Sequence, residues 1–153
     1  MTGPKIYVDA DACPAKDEVI SIARRHGLAV FMVSNTWLRM AEGPGVERIV
    51  VGEGADVADD WIAEHIDAGD IAVTSDIQLA ARCLEARAHA LDPVGKPFTE
   101  DSIGTQLAMR DLMAHLRDTG EVRGGGRGRN RRDRERFIEA LERTVTSILR
   151  SQQ

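Results

Sequence analysis

Short apolar runs rich in Ile and Val alternate along the chain with longer stretches of helical periodicity. The runs at 5–9, 28–34, 47–51, 71–74 and 88–91 have the length and β-branched character of buried strands. Between them, residues 14–26, 56–67 and 76–86 carry apolar positions three and four apart, with a shorter helical stretch at 36–40. Gly27 stands where the first helix should stop. Asp17 and Glu18 at its start and Arg24, Arg25 and His26 at its end suit the helix dipole. Strands alternating with helices predict an α/β fold, a mainly parallel five-stranded sheet with helices on both faces. With strand order 3-2-1-4-5, strands one and four are neighbours at the switch point, where sites of open α/β sheets form.

After Pro97 the alternation ends. Thr99-Glu100-Asp101 opens a long helix to about residue 119, with Ile103, Leu107, Leu112, Met113 and Leu116 roughly on one face. Gly120 stops it, and Arg123-Gly124-Gly125-Gly126-Arg127-Gly128-Arg129-Asn130-Arg131-Arg132 is too glycine-rich and charged to pack. A last helix is expected over 133–149, its stripe made of Phe137, Leu141, Val145, Ile148 and Leu149. The chain therefore reads as a single domain with core 1–97, a C-terminal helix pair over 98–153 and a mobile Arg/Gly loop at 123–132.

The candidate chemistry is carboxylate chemistry. The first strand ends in Asp9-Ala10-Asp11-Ala12-Cys13 and runs straight into Pro14. Residues two apart in an extended segment share a side, so Asp9 and Asp11 can face one crevice. Two acids so placed repel unless a cation or shared proton compensates, which reads as half of a metal site. Asp11 could equally cap the helix that follows. Asp76 leaves the fourth strand just as the next helix starts, as a cap or as a second anchor of the same crevice. Asp56, Asp59 and Asp60 sit three and four apart at the start of a helix, away from the line of Trp61, Ile62 and Ile66. Asp92-Pro93 follows the fifth strand and is also an ordinary turn.

Composition narrows the options without choosing among them. The 153 residues are 42% hydrophobic and 29% charged, as in soluble globular proteins. No run approaches the roughly 18 apolar residues of a membrane span. The N-terminus enters the first strand at once, leaving no room for a signal peptide. Two cysteines, Cys13 and Cys83, make no disulfide framework, and a cytoplasmic location is expected. No HxxxH, CxxC or GxxxxGK[ST] pattern is present, so neither a thiolate or imidazole zinc site nor a phosphate-cradling glycine loop is supported. Carboxylates alone favour a hard ion, Mg²⁺ or Mn²⁺. Charge is divided unevenly. Residues 1–122 carry 11 Lys and Arg against 21 Asp and Glu, a net −10, while 123–153 carry 9 against 4, a net +5. An acidic body with a basic tail can hold a cation on one part and attract phosphates with the other.

The segments 7–14 (Tyr7-Val8-Asp9-Ala10-Asp11-Ala12-Cys13-Pro14), 56–59, 69–80, 109–113 and 133–137 together resemble the uncharacterised bacterial YaiI/YqxD family, whose domain is PIN-like. The resemblance covers nearly the whole chain and supplies relatives rather than a reaction. The wider PIN-like resemblance implies a parallel sheet whose acids hold a divalent metal for phosphodiester cleavage. On that likeness Asp9 matches the first-strand acid, Asp59 or Asp56 the mid-chain helix acid, and Asp76 the acid after the fourth strand, with Asp92 only roughly at a fourth position. The helix pair after Pro97 departs from the minimal PIN pattern.

These readings converge on a Mg²⁺- or Mn²⁺-dependent nuclease acting on RNA, with no membrane partner. Asp9, Asp11 and Asp76 are its expected catalytic residues, and Asp9, Asp11, Asp56, Asp59 and Asp76 its metal ligands. Arg123, Arg127, Arg129, Arg131 and Arg132 would hold the phosphate backbone. Two alternatives stand beside it. One is a phosphatase resembling the haloacid-dehalogenase class, with Asp9 as nucleophile and Asp11 as general acid, although the order of the later acids is wrong for it. The other is a non-catalytic RNA-binding module.

Overall fold

The computed structural model describes residues 3–37, 43, 45–54, 56–118 and 129–151. Five strands, β1 (Ile6–Asp9), β2 (Val30–Ser34), β3 (Val46–Val50), β4 (Ile71–Val73) and β5 (His89–Leu91), form one sheet. Its order is β3-β2-β1-β4-β5, and every pairing is parallel. The inner strands β2, β1 and β4 are short and almost wholly apolar because parallel strands covered on both faces need no polar alternation, whereas the edge strand β3 carries Glu47 and Arg48. The two inner strands on either side of the order reversal, β1 and β4, pair directly, Val8 opposite Val73.

Alternate residues divide the core. Ile6, Val8, Val30, Met32, Ile71 and Val73 face α1 (Lys16–His26) and α5 (Arg131–Ser151), whose Val19, Ile22, Phe137, Leu141 and Val145 complete one apolar layer. Tyr7, Val33, Ala72 and Ala90 face α2 (Val57–His65), α3 (Ile77–Glu85) and the start of α4 (Glu100–Asp118). The expected helices on both faces are thus present, with the C-terminal helix pair divided between the two sides. Gly27, at φ 69°, ends α1 in the left-handed conformation that favours glycine. Gly95, at φ 90°, lies so close to α5 that a Cβ there would stand 2.5 Å from the Arg136 carbonyl oxygen.

Besides shifts of one or two residues at element ends, the structure departs from the sequence expectation at α4, at the start of the last helix and at 36–40. Along α4, Ile103 is buried and Leu107 packs beside it, whereas Leu112 is half exposed. Five residues beyond Leu107 is about 140° round a helix, too far for one stripe; the Leu116 side chain lies outside the described residues. The last helix starts at Arg131, so Arg131 and Arg132 belong to its first turn and not to a loop. Asp133 and Asn130 explain the early start: each side chain accepts the other's backbone N–H, at 3.1 and 2.9 Å. Thr36 and Trp37 leave β2 without helical structure, and the rest of the helical stretch expected at 36–40 lies outside the described residues, as does most of the Arg/Gly loop. Both cysteines are free and buried, and burial pushes both thiols up, that of Cys83 to about 12.

Candidate metal centre

Parallel strands deliver their C-terminal ends to one edge of the sheet, and four acidic segments reach that edge. Asp9 is the last residue of β1. A short 3-10 turn, Ala10–Ala12, then carries the chain past Asp11 into α1. The Lys16 ammonium steadies this turn by donating to the carbonyls of Ala10 and Cys13, at 3.1 and 2.7 Å. Next to β1, β4 ends at Val73. Its neighbour Thr74 is fully buried, and the Thr74 hydroxyl donates to Asp9 Oδ2 at 3.1 Å while accepting the Asp76 N–H at 3.0 Å. One threonine thus ties the exits of two adjacent strands together.

Asp76 has two duties. Its Oδ1 accepts the N–H groups of Gln78 and Leu79 at 2.8 and 3.2 Å, capping α3. Its charge is also felt by Asp59, on the first turn of α2. Asp59 is pushed up to about 7, first by burial, then by the charges of Asp76 and Asp9, with Asp56 adding less. Asp9 is raised too, chiefly by burial and then by Asp76 and Asp11, against the lowering effect of the Thr74 hydrogen bond. Three acids from three separate segments therefore share one environment in which their charges oppose each other.

The other expected acids lie around this centre. Asp11 is exposed, and its Oδ2 accepts the Asn35 N–H at 2.6 Å. Asn35 in turn donates through its side chain to the carbonyls of Gly52 and Gly54, so Asp11 closes a bracket joining the ends of β1, β2 and β3. Asp56 precedes the first residue of α2, is exposed and makes no side-chain cap. Asp60 turns to α3 and pairs with Arg82 at 2.7 Å. Asp92 is an organiser of its turn, its Oδ1 accepting the N–H groups of Val94 and Lys96 at 3.0 and 2.8 Å. Among the described residues, no group of three His, Cys, Asp or Glu side chains is already arranged to hold a metal ion. The convergence is one of hydrogen bonds and charge. An all-oxygen, partly buried and mutually repelling donor set suits a hard divalent cation.

The basic residues are dispersed. Arg123 and Arg127 lie outside the described residues. Arg129 is mostly buried, donating to the Pro93 carbonyl at 3.0 Å and standing 3.7 Å from Glu18. Arg131 pairs with Glu135 one helical turn on and is otherwise in solvent, and Arg132 is exposed. Thr74 and Asn35, which connect the acids, are the residues that sequence reasoning missed. Their only signal was place, a hydroxyl and an amide just beyond buried strands.

Fold and site together define a doubly covered parallel α/β domain with an acidic cluster at its switch point. The chain belongs to the YaiI/YqxD family, described as an uncharacterised bacterial group, whose family model matches residues 7–147. Its relatives include a UPF0178 protein of Parvibaculum lavamentivorans, 56% identical over 146 residues that span 95% of this chain and 96% of the relative. A UPF0178 protein of Rhodopseudomonas palustris strain HaA2 is 53% identical over 95% of this chain and 89% of its own. Another, from Bradyrhizobium diazoefficiens, is 52% identical over 97% and 89%. No solved structure matches the chain at a significant level. Among the described residues, no helix is long and apolar enough to cross a membrane.

Proposed function

We propose that this protein is a divalent-metal-dependent phosphodiesterase that cleaves RNA. The observation that carries the reading is the tie made by Thr74 between Asp9 and the backbone of Asp76 at the C-terminal edge of β1 and β4, with Asp59 near enough to feel the charges of both acids. Mg²⁺ or Mn²⁺ bound there would offset the scissile phosphate's charge and make a water acidic enough to attack. Asp9 and Asp76 would hold the ion, fixed in place by the Thr74 hydroxyl and by the cap on α3. Asp59, placed to hold or release a proton near neutrality, would join them when ionised. Asp11 would act through Asn35 on the shape of the cleft mouth, and Asp56 would add negative charge at its rim. Arg131 and Arg132, with Arg123 and Arg127, would meet the phosphate backbone, whereas Arg129 is committed to packing.

The test is cleavage of single-stranded RNA with Mn²⁺ by wild type, Asp9→Asn and Asp76→Asn. Asparagine keeps the hydrogen-bond acceptor at both places, and at 76 it remains a good helix cap, so charge alone is removed. Each variant should lose at least about 100-fold in rate. Equal rates in all three, or no cleavage by wild type, would overturn the proposal. An aspartyl-phosphate analogue trapped on Asp9 would instead favour the phosphatase reading.

A further inference from the structure

We infer that Trp37 is a stacking platform for an unpaired base of single-stranded RNA, with the Arg48 guanidinium behind its ring; the inference rests on the reading of the acidic edge as an RNA-cleaving site. Trp37 is 63% exposed, although tryptophan buries more apolar surface than any other side chain when it can. The segment that carries it is firmly held. The Asn35 N–H is bound by Asp11, the Asn35 side chain by Gly52 and Gly54, and the Ser34 hydroxyl by the Thr36 carbonyl, while the Val51 N–H returns to Ser34. The indole thus follows directly on a strand exit held by these bonds and is largely exposed to solvent.

Its backing is equally specific. The Arg48 guanidinium carbon stands 4.6 Å from the ring centroid, a cation–π contact that orients the indole. Arg48 lies on β3, opposite Met32 of β2 and two residues from Val50, which is itself 49% exposed. Ring and cation therefore stand together at the edge strand of the sheet. The outer face of such a ring takes another flat π-face, which an unpaired base offers. Place decides the partner. Asn35, the residue bound to Asp11, is only two positions from Trp37, at most about 7 Å of chain, so the platform lies beside the acidic edge. A strand whose phosphate entered the cleft would have a neighbouring base within reach of the ring.

The chain has two tryptophans, and Trp61 is stacked on His65 at 3.8 Å between ring centroids. In Trp61→Phe, therefore, fluorescence reports Trp37 alone. Titration of this variant with a uridine 12-mer in EDTA, where cleavage cannot intervene, should quench the emission saturably, while duplex RNA of the same length should not. In parallel, anisotropy of a labelled 12-mer should show Trp37→Ala in the otherwise unchanged chain binding about 10-fold or more weakly, and Trp37→Phe much less affected. This second readout holds even if Trp61→Phe does not fold. RNA binding without quenching, or equal affinity of wild type and Trp37→Ala, would overturn the inference, as would a concentration-dependent dimer abolished by Trp37→Ala. Quenching and weakened binding in a protein that never cleaves RNA would overturn the nuclease reading and leave the platform standing. Cleavage with an unchanged KM in Trp37→Ala would do the reverse.

Discussion

A carboxylic acid pushed up to about 7 is under conflicting demands at neutral pH, and Asp59 is that residue here. Burial, Asp76 and Asp9 all oppose its charge. Its folded pKa lies above the ordinary 3.8 of an aspartate, so the folded chain keeps a proton that the unfolded chain releases. The stability linked to Asp59 is therefore fully present below about pH 4 and is lost as pH rises towards 7. Asp59→Asn removes the charge and supplies an N–H for Asp76. The variant should be more stable than wild type at pH 8 and indistinguishable near pH 4, as urea denaturation at both values would show. Equal or lower stability of Asp59→Asn at pH 8 would contradict the crowding of these three acids. Asp9 and Asp76 could be singled out from sequence because each lies at the exit of a buried apolar run, Asp9 directly after Val8 and Asp76 just before the next helix. Thr74 could not be read in the same way: its role depends on β1 and β4 being neighbours, so that a hydroxyl on one strand reaches a carboxylate 65 positions away.

At the scale of elements, the sheet and its order follow from pattern and topology, since short apolar strands joined by helices leave few right-handed arrangements. The helices after Pro97 were legible only in part. The stripe of α5 is regular, and Phe137, Leu141 and Val145 are wholly buried against the sheet. The stripe of α4 loses its phase after Leu107, so that Leu112 stands half exposed. Leu141→Ala should cost about 2–5 kcal/mol in urea unfolding, and Leu112→Ala no more than about 0.5 kcal/mol. Gly95→Ala should also destabilise, by about 2 kcal/mol or more, because its positive φ and the Arg136 carbonyl both exclude a Cβ. A Leu112→Ala loss as large as that of Leu141→Ala would mean that the distal part of α4 packs on the core after all. The basic segment shows the same limit of pattern. Read as one loop, it contains Arg129, whose place was set by partners far away, Pro93 and Glu18.

For the molecule as a whole, one relation joins fold to function. Parallel strands bring acids from distant parts of the chain to a common edge, and burial at that edge makes their charges felt. Two ways exist to relieve such repulsion, a proton or a cation. The family shared with relatives from several bacteria fixes the frame and leaves that choice to measurement. The most direct measurement is Mn²⁺ titration at pH 7.5, followed by loss of the free-ion electron paramagnetic resonance signal, in wild type, Asp9→Asn and Asp76→Asn. The account predicts a saturable site in wild type that is lost or greatly weakened in both variants. No saturable uptake by wild type at millimolar Mn²⁺, or unchanged uptake by the two variants, would contradict it.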